Sequence, residues 1–436
     1  MSQIFALKGT IVHTPDMDAF EVCENSYVLC ENGITIGIFK ELPEQYKDIP
    51  VEDYGDRLII PGMCDIHCHP SQYGFRGLGQ NPVYQEGENW FWRFTFPEEL
   101  RCCDMEYAGR SYGKFVEDLV KTPTTRLVAF ATVNRPTTEL LMDLLEEKGF
   151  AGFVGKVNMD RNSPPGLLED TKDSLEQTRI WLEECVGKRE NIKPILTPRY
   201  TPSCSDECME GLQQLMKEYH VPVQSHLSEN LREIDWVHQL KPDIKYYGQA
   251  YDMYGMMGTD APSIMAHCVY SGPEETELFF DKSRDLTIAH CPTGNCISST
   301  MEIAPVLKYL RGGARVGLGT DVSGGYTLNM WKTMYDAMMV SKLYWGIHFH
   351  KSPPHNPDCL TYSQVFYMAT KGGGSFFGKV GSFEPGYEFD AVVIDESRNR
   401  DFVERPMDDR LERVITLSDE RETYAKYIKG RKIFGK

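Results

Sequence analysis

Short apolar runs rich in β-branched residues recur through the middle of the chain, and the stretches between them repeat their apolar positions every three or four residues. The runs are Arg57–Asp65, Thr125–Val133, Phe153–Asp160, Lys193–Tyr200, Val221–Glu229, Ala261–Tyr270, Asp285–Pro292 and Ala314–Val322. Runs of this kind predict strands buried on both faces, as in a parallel sheet, and the intervening period predicts amphipathic helices. Glu139–Lys148 and Cys208–His220 carry the helical period, and a Pro or Gly usually punctuates the exit. Eight strand–helix units make the count of a closed (β/α)8 TIM-like barrel, an α/β fold in which function gathers at the C-terminal ends of the strands. The barrel is assigned to residues 57–375.

The two ends of the chain read differently. Ser26–Cys30 and Ile34–Phe39 flank Glu31-Asn32-Gly33, and Asn-Gly between strand-like runs predicts a hairpin. Near the other end, the turn Gly381–Gly386 leads into Phe389–Asp395, a buried strand. Residues 1–56 and 376–436 are therefore expected to pair into one small composite β-domain, a β-sandwich built from both termini.

Composition narrows the function. The 436 residues are 41% hydrophobic and 25% charged, enough for one large core and a smaller one. A formal charge of −18 with no clustered cationic stretch opposes binding to nucleic acid or to anionic membranes, and favours a small neutral ligand. The first residues lack the basic-then-apolar layout of a secretory leader, and no apolar run reaches membrane-spanning length, so a cytoplasmic location is expected. The 13 cysteines are odd in number and scattered, as free thiols would be, and the Cys204/Cys208 spacing has no second pair to complete a zinc site.

The histidines give the chemistry. Of 11, five fall at C-terminal ends of predicted strands: His67 and His69 on the first, His226 on the fifth, His267 on the sixth and His290 on the seventh. Residues i and i+2 of a strand share a face, so His67 and His69 can offer two imidazoles to one ion while Cys68 points away. His226 supplies a third nitrogen and Asp321, after the eighth strand, an oxygen. Such a mixed N/O set with a place left for water suits one Zn²⁺ per subunit, and Fe²⁺ also accepts it. Glu229, three positions after His226, has the character of a proton carrier. His267 either hydrogen-bonds a metal-bound water or serves as a fifth ligand. A second His-x-His, His348-Phe349-His350, lies beyond the eighth strand beside Lys351-Ser352-Pro353-Pro354 and reads as a surface loop. The sequence shows no G-x-G-x-x-G opening a helix, no P-loop, no G-x-S-x-G elbow, and not the H-x-E with P-C-x-x-C of the cytidine-type deaminases.

Taken in order, the His-x-His pair, two further histidines and a final Asp on successive strands resemble the single-metal deaminases of the amidohydrolase superfamily. Pro61-Gly62-Met63, Ser71-Gln72-Tyr73, Thr95–Glu99, Val154–Asp160, Thr197-Pro198-Arg199-Tyr200, Gln224-Ser225-His226 and Ala289-His290-Cys291-Pro292 narrow the likeness to the guanine deaminase branch. The resemblance implies hydrolytic deamination of guanine to xanthine, with Gln72 and Arg199 recognising the purine and Trp90 and Tyr200 sandwiching or edging its ring. It also implies that water loses a proton toward Asp321, that Glu229 protonates the adjacent ring nitrogen, that His267 stabilises the tetrahedral intermediate, and that the protein is a homodimer. Pro70, the glycine-rich Arg76–Pro82 and Tyr200 depart from the family pattern, and Arg76 near the mouth adds a second cation. These departures bear on the substrate, leaving 8-oxoguanine, a pterin or a triazine as alternatives. A barrel that has lost catalysis and serves assembly is opposed by the intact donor set.

Overall fold

Each of the eight predicted runs overlaps a parallel strand in the computed structural model, which describes residues 4–80, 90–296, 302–349, 358–400 and 402–436. Met63–Cys68, Thr124–Phe130, Ala151–Gly155 and Ile192–Pro194 form one four-stranded parallel sheet. Val223–Leu227, Ser263–His267, Leu286–His290 and Arg315–Leu318 form a second. At one seam Leu196 bridges in parallel to Val223. At the other, Asp321 N donates to His67 O at 2.8 Å and Thr320 N to the Asp65 carboxylate at 2.9 Å. The eight strands thus run round a closed ring.

Successive strand residues point to opposite sides, and the core divides accordingly. Leu127, Met265 and Ile288 join the outer cluster with Leu141, Leu212 and Trp331 from the helices. Their neighbours Val128, Ile264 and Ala289 join Cys64, Ile66 and Ile195 in the inner cluster that fills the ring. The predicted helices lie within Arg135–Glu147 and Asp206–Tyr219, each begun by a side-chain cap, Asn134 and Ser205.

The termini meet as expected, in a seven-stranded sheet ordered Arg431–Gly435, Thr423–Ile428, Ala391–Ile394, Val51–Pro61, Ile4–His13, Glu21–Glu31, Ile34–Phe39. The expected β-sandwich is, in its hydrogen bonding, this one continuous sheet with its own core of Phe5, Leu7, Ile11, Val28, Ile59, Phe389 and Tyr427.

Two boundaries move. The run Arg57–Asp65 is two elements, because Val51–Pro61 pairs with Ala391–Ile394 through Pro61 and the barrel strand begins only at Met63. Gly62 makes the hand-over: a Cβ there would lie 2.1 Å from Thr125 Oγ1, and its N–H donates to Asp390 O at 3.0 Å. The C-terminal segment also holds a helix, Met407–Leu417, whose Leu411, Val414 and Ile415 pack into the large barrel cluster. That segment therefore serves both bodies.

Candidate metal centre and active site

The sequence sets the histidines on the ring's C-terminal rim by strand alternation, and the structure closes them on a point. His67 Nε2 lies 3.1 Å from His69 Nε2, and both lie 3.2–3.3 Å from Asp321 Oδ1. A tetrahedral ion with bonds of about 2.0–2.1 Å holds its ligand atoms about 3.3 Å apart, so these three atoms have the separation of ligands sharing one ion. His226 joins them, since the ring nitrogens of His67, His69 and His226 lie within 4.8 Å of one another. Its Nδ1 donates to Arg199 O at 2.7 Å, which leaves Nε2 with the lone pair that a metal requires. Among the described residues the buried Nδ1 atoms of His67 and His69 have no hydrogen-bond partner.

Charge follows from burial. Burial depresses His226 well below the ordinary imidazole range and brings His67 down to about 3, so both rings are neutral at neutral pH. Burial pushes the Asp321 carboxyl up, but hydrogen bonds from His67 and His69 override it and hold the group well below the usual range. Around Asp321 the chain is glycine: a Cβ on Gly294 would come within 2.0 Å of its Oδ2, and one on Gly324 within 2.5 Å. Asp321 itself sits at φ 50° and His267 at φ 73°, left-handed values that are uncommon outside glycine and concentrate at functional sites.

His267 takes its place on the sixth strand's last residue. Its Nδ1 lies 2.8 Å from Asn295 Oδ1, and its Nε2 faces Glu229 Oε2 at 4.0 Å. Burial lowers the affinity of this ring for a proton, yet the Glu229 and Asp321 carboxylates outweigh it and raise the pKa. Beneath the rings Phe130 packs against His67, His69 and His226 at 4.8–5.0 Å between centroids.

The predicted recognition residues converge through a residue that sequence reading missed. Gln72 Nε2 donates to Glu99 Oε1 at 2.9 Å, and Arg199 Nη1 donates to both Glu99 oxygens at 2.8 and 2.6 Å. All three side chains are buried. Arg199 also lies over the Phe96 ring at 5.3 Å. Tyr200 meets Trp236 edge-on at 6.3 Å. Trp90 packs in an aromatic cluster with Phe75, Phe91 and Phe94, so its observed role is packing.

His290, at the end of the seventh strand, is close enough to His267 for that ring's charge to act on it; among the described residues neither of its buried ring nitrogens has a partner, and burial lowers it to about 3. Other candidates separate from the site. Arg76 is engaged at the surface, stacked on Tyr73 at 4.1 Å and 3.6 Å from Asp118. His348 is exposed at the end of the helix Met330–Phe349, a helix where a loop was predicted, with its ring 4.3 Å from Tyr344. Its neighbour His350, the stretch Lys351–Pro354, and Asn81 and Pro82 of the glycine-rich segment lie outside the described residues. All 13 cysteines are free, and Cys204 and Cys208 are both buried. Among the described residues no helix is long and apolar enough to cross a membrane.

Residues 58–433 match the amidohydrolase family. The guanine deaminase of Dictyostelium discoideum is 33% identical, the match covering 98% of this chain and 97% of that protein. The human guanine deaminase is 31% identical over 98% of this chain and 96% of its own length. A crystal structure of guanine deaminase from C. acetobutylicum, with guanine bound in its active site, superposes with a TM-score of 0.91 at 41% identity, covering 99% of this chain and 100% of the other. With fold, donor set and sequence in agreement, the chain belongs to the amidohydrolase family.

Proposed function

We propose that this enzyme hydrolyses guanine to xanthine and ammonia. The observation that carries the reading is the convergence of His67, His69, His226 and Asp321, with Gln72 and Arg199 buried beside them, in a chain similar over its whole length to a guanine-bound deaminase.

His67, His69, His226 and Asp321 would hold the ion. Their three imidazoles and one carboxylate suit Zn²⁺, and Fe²⁺ accepts the same donors. Zinc held there would supply a nucleophilic hydroxide at neutral pH by lowering the pKa of its water to about 7. The remaining work belongs to the side chains. Arg199 donates to the purine carbonyl and Gln72 pairs with the neighbouring ring nitrogen, which places C2 toward the histidines. Tyr200 edges the ring. Asp321 takes the proton of the attacking water, and Glu229 delivers one to N3, the ring nitrogen next to C2. His267 donates toward the oxygen that adds at C2. The C2–N bond then breaks as the amino group takes a proton and leaves as ammonia. General acid–base transfers of this type contribute about 10²–10⁴-fold.

The test is direct. Purified, metal-analysed protein given guanine should release one ammonia for each xanthine formed. Turnover of a pterin, 8-oxoguanine or an aminotriazine with none of guanine would overturn the assignment. The same reading has the protein working as a cytoplasmic homodimer: the free thiols suit a reducing compartment, and the dimer rests on the family likeness and is tested by sedimentation.

A further inference from the structure

Glu99 lies in none of the predicted site positions, yet it holds both residues that the proposed function uses to read the purine. It sits on the first turn of Phe96–Arg101, between the first two barrel strands, and is buried. Its two oxygens both accept from Arg199 Nη1, and Oε1 also accepts from Gln72 Nε2 at 2.9 Å.

An ionised carboxylate accepts hydrogen bonds and donates none. A glutamine amide beside it therefore has one permissible orientation, with NH₂ toward the carboxylate. The opposite flip would set two acceptors against each other in a buried site, where an unmet acceptor is costly. We propose that Glu99 is a positioning residue that fixes the polarity of Gln72, so that this amide offers substrate its carbonyl oxygen. The same contact occupies Arg199 Nη1 and leaves the rest of the guanidinium as donors. The pair then presents an acceptor next to a donor. That order matches a ring N–H beside a carbonyl, the lactam edge of a 6-oxopurine. It mismatches purines whose N1 is an unprotonated acceptor, because Gln72 would set a carbonyl oxygen against a lone pair. The structure thereby sharpens recognition from "amide plus cation" to a directional code set by a third residue.

The inference rests on the proposed reading of Gln72 and Arg199 as substrate contacts, and one experiment separates the two. Rates of ammonia release from guanine and from 2-aminopurine, which lacks both the N1 hydrogen and the oxygen at C6, are compared for wild type, Glu99→Gln and Glu99→Asp. Metal content and Tm are measured in parallel. A wild type that fails on guanine sinks the functional reading itself. Given an active wild type, Glu99→Gln frees Gln72 to turn and donate, so kcat/KM for guanine should fall about 100-fold, mainly through KM, and the preference for guanine over 2-aminopurine should shrink at least about 10-fold. Glu99→Asp keeps an acceptor-only partner and should retain the preference while raising KM. If Glu99→Gln loses guanine activity with the preference unchanged, Glu99 is merely structural and the proposal is overturned. Unchanged guanine kinetics overturn it as well. Should Glu99→Gln fail to fold, Glu99→Asp decides alone, since a collapsed preference there contradicts the polarity argument and a retained one supports it.

Discussion

Glu229 and His67 sit a few ångströms apart in function but differ in what their loss removes. Glu229 faces His267 at 4.0 Å and is not one of the four residues that would hold the ion, so Glu229→Gln should keep metal content and Tm and lose about 10²–10⁴-fold in kcat. Near-normal turnover in that variant would remove Glu229 from the proton path. His67→Ala deletes a donor from the cluster itself, and its purified form should contain far less metal than wild type by elemental analysis. A fully loaded His67→Ala protein would contradict the ligand set. That these donors converge was legible in the sequence, because strand alternation puts His67 and His69 on one face and the barrel count puts His226 and Asp321 on the same rim. Glu99 was not legible. In Phe96-Pro97-Glu98-Glu99 an acidic pair follows a proline at a helix start, which reads as a solvated first turn stabilised by the helix dipole. Only the fold reveals that this turn faces Arg199 from across the mouth. Phe130 was hidden for a related reason, since a phenylalanine ending a buried strand looks like core until the rings above it are histidines.

At the scale of elements, the strand positions followed from apolar runs, while the errors fell where one run serves two bodies. Arg57–Asp65 looks like one strand because both halves are buried, and the break at Gly62 is dictated by Thr125, a partner far away in sequence. The helix Met407–Leu417 was missed because it lies beyond the last barrel unit, where strands were expected, although its apolar Leu411, Val414 and Ile415 recur at helical spacing. The loops after the strands carry their own chemistry. Glu275, in the helix Pro273–Phe280, accepts from Ser228 Oγ at 2.7 Å and from Gly248 N at 2.6 Å, bracing the left-handed Ser228 that precedes Glu229. Burial raises its pKa despite those donors. A raised carboxyl binds its proton in the native state at pH values where the unfolded chain, near 4.3 by the usual reference of about that value, has released it. The native state then holds more protons, so this group lowers stability as pH climbs from the unfolded value through the raised one. Glu275→Gln keeps an acceptor for Gly248 and removes the titration. Its urea midpoint relative to wild type should rise between acidic and neutral pH. A difference between the two proteins that stays constant across that range would show that Glu275 does not carry the effect.

For the whole molecule, the barrel separates its two faces by task. The C-terminal rim holds the donors together with left-handed Ser228, His267, Cys268 and Asp321, and the opposite face is where the small sheet is fastened. There Arg126, near the start of the second strand, donates to Asp390 at 2.6 Å and to Glu388 at 2.7 Å, and Asp390 also accepts from Lys429 N at 2.8 Å. Lys426 from the same sheet is fully buried and donates to Leu119 O at 3.0 Å and Thr124 O at 2.8 Å. Breaking a buried ion pair by removing one partner costs about 3–5 kcal/mol, because the other charge is left without compensation, whereas neutralising both is often far milder. Arg126→Met should therefore lower the urea midpoint strongly, and Arg126→Met with Asp390→Asn, which keeps an acceptor for Lys429, should recover much of the loss. This fastening bears on stability, since a barrel of this kind keeps its chemistry at the other end. The folded fraction of each variant should accordingly retain wild-type KM and metal content when assayed well below its Tm. If the double variant proved as unstable as the single one, the unpaired charge would not be the cause; if KM shifted with stability, the two faces would be coupled through the ring, and the rim geometry would depend on how the sheet is held.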